Sequence, residues 1–335
     1  MPVLFVTHEA YLDHLTGSHH PERPARLGAV LAGSREASVA DGLIPMAPEP
    51  APRETLELVH PAAHLDRLAR VSAAGGGNLD ADTVMSSESW DAAVPPPAPD
   101  SRRSRRWSAA RPMPFCAVRP PGHHASPGQA MGFCLLSNVA VAAASSRSGE
   151  RVVIVDFDAH HGNGTQDAFY SDPRVLYVSL HQWPLYPGTG RFDETGDGLG
   201  LGTTLNVPMP PAATGDVYLA AIDQLVTPVV QQFRPTWLIL SAGFDGHQAD
   251  PITDLGLSAG DFGMIVHKLL EYAPPGRRLV MLEGGYDLDA LQHSTAATLA
   301  ELMGREFHPE APTAGGPGHG VLERVRAYWY ELGLF

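Results

Sequence analysis

The residues best suited to chemistry are Asp158 and His160. They follow four apolar β-branched residues, Val152–Val155, in the stretch Asp156-Phe157-Asp158-Ala159-His160-His161-Gly162-Asn163-Gly164. The apolar run reads as a buried strand of a parallel sheet. At extended spacing, residues two apart point to the same side, so Asp158 and His160 converge. A carboxylate and an imidazole meeting at a buried strand end are unfavourable unless a cation joins them. A divalent metal is the simplest such cation. Asp245, flanked by Gly243 and Gly246 after the apolar run Thr236–Ala242, is the best-placed third ligand. Two carboxylates and one imidazole suit Zn2+ with a position left open for substrate. Asp158 alone would more often be half of a hydrogen-bonded Asp–His pair. The joint pattern favours metal, because uncompensated buried carboxylates are rare.

A second group could move protons. His123-His124 follows the rigid turn Pro120-Pro121-Gly122. Paired histidines beside a metal suit general acid–base work, with unperturbed pKa values of about 6.5. Asp156 and Asn163 are the nearby acceptors that could orient them. An isolated His-His would more often cap a strand. Tyr286, after Gly284-Gly285, could donate a hydrogen bond to a developing oxyanion, although a half-buried structural tyrosine is the commoner use. Phe133, in Gly132-Phe133-Cys134, and Tyr186, in Leu185-Tyr186-Pro187-Gly188, could wall a slot; alone they would be core aromatics. Ser179 and the Leu180 carbonyl could join Asp156 around a monovalent cation.

These residues need a scaffold. Apolar runs predict strands at Val3–Thr7, Phe115–Val118, Val152–Val155, Val175–Leu180, Thr236–Ala242 and Arg278–Leu282. Between them, helical spacing predicts helices after Pro24 and over Pro61–Ala74, Ser137–Ser146, Gly164–Tyr170, Gly215–Phe233, Ser258–Tyr272, Leu288–Met303 and Val321–Tyr330, with Ser258 and Asp261 forming a capping box. Alternating strands and helices predict an α/β fold, a single mostly parallel sheet covered by helices on both faces. Five strands end in polar or ionisable residues: His123/His124, Asp158/His160, Ser179/His181, Asp245 and Tyr286. Open α/β sheets bind ligands at that rim. One segment, 95–114, is Pro/Arg-rich with no apolar period, and reads as an irregular insertion. A one-base frame slip in GC-rich DNA gives the same composition.

Composition narrows the classes. The chain has 335 residues, 44% of them hydrophobic, enough for a large single domain spanning 1–335. The formal net charge is -14, and Lys268 is the only lysine, which argues against a nucleic-acid partner. Cys116 and Cys134 cannot build a disulfide framework and read as buried thiols. No leader-like start and no apolar run of roughly 18 residues is visible, so the expectation is a cytoplasmic protein that neither enters nor spans a membrane.

Together the motifs resemble the histone deacetylase-like amidohydrolases of the arginase/deacetylase superfamily, in the class II-like branch with bacterial members. The motifs are Arg119-Pro-Pro-Gly-His-His-Ala125, Gly132-Phe-Cys134, Asp156-Phe-Asp-Ala-His-His-Gly-Asn-Gly-Thr-Gln166, Tyr186-Pro-Gly-Thr-Gly190, Ser241-Ala-Gly-Phe-Asp245 and Leu282-Glu-Gly-Gly-Tyr286, preceded by His20-Pro-Glu-Arg23. The resemblance implies zinc on Asp158, His160 and Asp245, and water attacking an amide carbonyl. It implies an acid–base pair, His123 backed by Asp156 and His124 by Asn163, with Tyr286 completing the oxyanion site. It implies K+ near Asp156, Asp158, His160, Ser179 and Leu180, and a second K+ near Phe169, Asp172 and Val175. Gly132, Phe133 and Tyr186 match an acyl-lysine tunnel, and Ile252 aligns with the position where polyamine-selective relatives can carry an acidic gatekeeper. The implied substrate is an Nε-acetylated lysine peptide or protein. An acetylated polyamine is the alternative, and a catalytically weak acyl-lysine binder is a third reading. A homo-oligomer is allowed. The chain departs from the family at Ser137-Asn138, where two asparagines are usual, and at 95–114, where an Ala-rich helix is usual.

Overall fold

A computed structural model of the chain describes residues 1–36, 38–94, 112–146 and 148–334. It contains ten strands: β1 Val3–Val6, β2 Leu43–Met46, β3 Gly76–Asn78, β4 Val84–Ser86, β5 Met113–Cys116, β6 Val152–Asp156, β7 Val175–Gln182, β8 Thr204–Met209, β9 Trp237–Ala242 and β10 Arg278–Leu282. Eight form one sheet in the order β2-β1-β5-β10-β9-β6-β7-β8, and every neighbouring pair is parallel. β3 and β4 make a separate antiparallel hairpin. β6, β7 and β9 are buried along their whole length, so both faces of the sheet are covered, as the unbroken apolar runs require. The helices Ala25–Gly33 and Ala259–Leu269 both pack on Leu288–Met303. No helix among the described residues is long and apolar enough to cross a membrane. Both cysteines are buried and free.

The predicted strands and helices are present, with shifted ends. Ser258 and Asp261 form the expected capping box. The helix expected over Gly215–Phe233 is broken by a π-helical turn at Ile222–Val226. Pro228 supplies the reason: it has no N–H and its ring crowds the carbonyl four residues back, so the preceding turn widens. Two sheet strands, β2 and β8, escaped the reading. Each contains a proline, Pro45 or Pro208, and each lies at an edge, the place where a sheet tolerates one. The irregular segment was drawn too long: Met113 and Pro114 already belong to β5, whose pairing to β1 begins there. Residues 95–111 lie outside the described residues. The carboxyl ends of β5, β6, β7, β9 and β10 gather on one rim, the geometry on which everything below depends.

Candidate active site

Asp158 and His160 leave the end of β6, and Asp245 leaves the adjacent β9. One ligand-type atom from each lies within 4.8 Å of the others, and all three residues are buried. His160 Nδ1 is 2.9 Å from Asp245 Oδ2 and 3.2 Å from Asp158 Oδ1. Backbone amides hold the outer lobes of the carboxylates: Gly284 N–H donates to Asp158 Oδ2 at 2.7 Å, and Ala159 N–H to Asp245 Oδ1 at 2.7 Å. Glycines make the room. A Cβ on Gly284 would stand 2.6 Å from Asp158 Oδ2, and one on Gly243 would collide with the same carboxylate. Burial and the neighbouring Asp158 push the Asp245 carboxyl up to about 7. Burial opposes charge on His160, but Asp158 and Asp245 outweigh it and hold its pKa up at about 10. Two buried carboxylates and one imidazole converging this closely are a donor set that fits a divalent ion such as zinc.

The histidine pair sits beside this cluster, on the loop that leaves β5. His123 Nδ1–H donates to Asp156 Oδ2 at 3.0 Å, and His124 Nδ1–H to Asn163 Oδ1 at 2.8 Å. Their rings are 4.1 Å apart. Burial lowers both, yet they diverge. Asp158 and Asp156 outweigh burial at His123 and raise it well above the ordinary value, while His123 and His160 add to burial at His124 and lower it well below. The two rings are therefore biased in opposite directions, and the Nδ1 contact of His124 with Asn163 leaves Nε2 as the nitrogen that can exchange a proton. The loop itself hangs on Glu283, whose Oε2 accepts from Gly122 N–H at 2.7 Å and His123 N–H at 3.1 Å.

The loop after β10 carries Tyr286, and nearly all its backbone polar groups are taken. Arg26 donates to the carbonyls of Glu283 at 2.5 Å and Gly285 at 2.6 Å, and its guanidinium carbon lies 4.8 Å from the Tyr286 ring centre. Gly285 takes a φ of 116°, a region that favours glycine. Arg26 in turn shares Glu22 with Arg119, whose Nε reaches Glu22 at 2.6 Å. Arg119 also donates to the Tyr11 and His14 carbonyls. Glu22, Arg26 and Arg119 form an ionic knot behind the loops that carry the histidine pair and Tyr286, and all three are buried.

Aromatic rings line the approach. The Tyr186 ring is 5.1 Å from that of His124 and the Phe133 ring is 5.8 Å from that of Tyr286. Phe133 takes a φ of 68°, unusual for a side chain of its size. It is held there by Thr83 Oγ1, which accepts its N–H at 3.1 Å, and by the His20 ring at 4.7 Å. Gly132 is close-packed too, since a Cβ there would stand 2.8 Å from His124 Cγ. Ile252 is half-buried on the loop beyond Asp245.

The cation positions fare differently. Asp156 and Ser179 are register partners on β6 and β7; Ser179 Oγ lies 2.9 Å from His181 Nδ1, and the Tyr218 hydroxyl donates to the Leu180 carbonyl at 3.5 Å. Phe169, Asp172 and Val175 share the turn before β7, where Asp172 N–H bonds the Phe169 carbonyl and the Asp172 carboxylate grips Arg174. Sequence reasoning missed the supporting set: Glu22, Arg26, Asp250 and Glu283. Their signal was present as charged residues inside or beside the motifs, but nothing local says that they are buried.

Comparison with known proteins matches residues 20–302 to the histone deacetylase domain. A Synechocystis sp. protein described as uncharacterized is 40% identical over 306 residues, 88% of this chain and 97% of that protein. An Archaeoglobus fulgidus protein described as a probable deacetylase is 37% identical over 308 residues, 89% of this chain and 86% of that one. Among solved structures, the HDA15 HD domain superposes with a TM-score of 0.85 at 32% identity, covering 98% of this chain and 95% of that chain. The shared fold is that of the arginase/deacetylase superfamily.

Proposed function

Because the chain belongs to the histone deacetylase family, we propose that it is a zinc-dependent amidohydrolase that removes acetyl or other short acyl groups from the Nε-amine of lysine in peptides or proteins, with residues 1–335 as one catalytic domain. The observation that carries the reading is the buried Asp158–His160–Asp245 cluster, whose ligand-type atoms lie within 4.8 Å of one another, beside the histidine pair His123 and His124. The chemistry such an ion supplies when bound is Lewis-acid polarisation of a carbonyl and acidification of water.

The chain's own groups do the rest. His124 Nε2 takes a proton from the attacking water and returns it to the departing lysine amine. His123, its Nδ1–H held by Asp156, stabilises the negative charge that develops, and Asn163 fixes the tautomer of His124. Tyr286 Oη donates to the carbonyl oxygen as it becomes anionic. Gly132, Phe133 and Tyr186 clasp the alkyl chain and exclude water, with Ile252 at the rim. Asp156, Ser179 and Leu180, and separately Phe169, Asp172 and Val175, are the candidate potassium positions. The net charge of -14 favours cationic substrates of either kind. The test is a side-by-side rate comparison of an acetyl-lysine peptide and acetylated putrescine. Faster peptide turnover supports the reading. Faster putrescine turnover replaces it with a polyamine hydrolase, and no hydrolysis by zinc-loaded protein replaces it with an acyl-lysine binder.

A further inference from the structure

Asp250 has no role in the chemistry described so far, yet it is 7% exposed and carries a carboxylate. It belongs to the loop that begins with the metal-ligand candidate Asp245, and its own N–H closes a turn on the His247 carbonyl at 2.8 Å. Its carboxylate makes no ion pair with any Arg, Lys or His side chain among the described residues. It accepts backbone amides instead. Oδ2 takes Tyr286 N–H at 2.8 Å and Asp287 N–H at 3.4 Å, and Oδ1 takes Ile252 N–H at 3.1 Å. A carboxylate buried without a counter-ion is costly unless several donors converge on it. The donors here include the amide of the very residue whose phenol faces the reaction.

The loop that carries Tyr286 is pinned from three sides. Arg26 holds the carbonyls of Glu283 and Gly285, and Asp158 holds the amide of Gly284. Asp250 is the side chain that holds Tyr286 by its own backbone, and it does so from the Asp245 loop. The same carboxylate therefore ties the phenol and the tunnel-rim residue Ile252 to the segment that supplies a metal ligand. A phenol oxygen lies far from its Cα, so a small rotation there displaces it by about 1 Å, an error of the size that costs up to about a hundredfold in rate.

We propose that Asp250 is a positioning residue that fixes the Tyr286 phenol relative to the Asp245 loop. This rests on the reading above, in which Tyr286 donates to the reacting carbonyl. Asp250 itself is not one of the three ligand candidates, and its carboxylate oxygens are turned to backbone amides.

The test is a double-mutant cycle on the full-length, zinc-loaded protein with an acetyl-lysine peptide. The variants are Asp250→Asn, Tyr286→Phe and the pair combined. Asn keeps the shape and one acceptor oxygen but sets an NH2 against one of the backbone donors. Asp250→Asn is expected to lower kcat by about tenfold, with KM within about twofold and zinc content unchanged. In the Tyr286→Phe background the same change is expected to cost less than about twofold, because the hydroxyl it positions is gone. Losses that multiply in the double variant, or an unchanged kcat in Asp250→Asn, overturn the proposal and leave the reading of Tyr286 standing. Unchanged turnover by Tyr286→Phe overturns the reading itself and this proposal with it. Should Asp250→Asn be recovered unfolded, the same cycle with Asp250→Ser, whose hydroxyl can still accept an amide, decides in the same way.

Discussion

Replacing Glu22 with Gln tests whether the ionic knot behind the loops of the histidine pair and Tyr286 holds the protein together. Glu22 is fully buried, and burial alone would raise its pKa. The His14 imidazole, 3.4 Å from its carboxylate, and the charges of Arg119 and Arg26 outweigh that and bring it from 4.5 to about 2. That difference corresponds to about 3 kcal/mol of preference for the charged form in the folded state. Removing one member of a buried ion pair costs about 3–5 kcal/mol, which agrees. Urea unfolding at neutral pH should therefore show Glu22→Gln less stable by about 3 kcal/mol with an unchanged slope. Because the folded pKa is depressed, the stabilisation is fully present above the unfolded value and drains away as pH falls from 4.5 towards 2. The gap between the two proteins should narrow by about 1 kcal/mol between pH 5 and pH 3.5. Turnover should fall as well, since Arg26 holds two carbonyls of the Tyr286 loop. A deficit under about 1 kcal/mol at neutral pH, or one that does not narrow on acidification, refutes the reasoning.

Metal analysis separates ligands from the groups that act on substrate: Asp245→Ala should lose zinc, while His124→Ala and Tyr286→Phe keep it and turn over far more slowly, and a zinc-free Tyr286→Phe protein would contradict the assignment. Gly284→Ala should bind zinc at least about tenfold more weakly with the fold retained by circular dichroism, because its Cβ would stand 2.6 Å from Asp158 Oδ2; wild-type affinity would mean that this cradle is not tight.

Much of this was readable from residue types and spacing. The run Val152–Val155 could only be a strand buried on both faces, and the period of two placed Asp158 and His160 on one side of its continuation. His123 pairs with Asp156 and His124 with Asn163 across the loops that follow β5 and β6. What stayed hidden was non-local. Glu283 and Asp250 act through backbone amides from other loops, and no periodicity encodes which amide a carboxylate will meet. β2 and β8 were hidden for a local reason: Pro45 and Pro208 argue against a strand, and only the position at a sheet edge cancels the objection. The Pro/Arg-rich stretch misled at its end, because Pro114 masks the start of β5.

The strand order has a further consequence. β5 brings the two histidines, β9 and β6 bring the three ligands, and the strand between β5 and β9 is β10, the last to be synthesised. β5 and β9 are not neighbours, so without Arg278–Leu282 no strand pairing would join the strands that lead to the histidine pair to those that lead to the three ligand candidates. The late strand works as a keystone: it closes the arch and delivers the phenol in the same motion. A truncation ahead of Arg278 would remove this join together with Glu283 and Tyr286, so the seam between the two sets of strands is where shortening the chain should cost fold and candidate site at once.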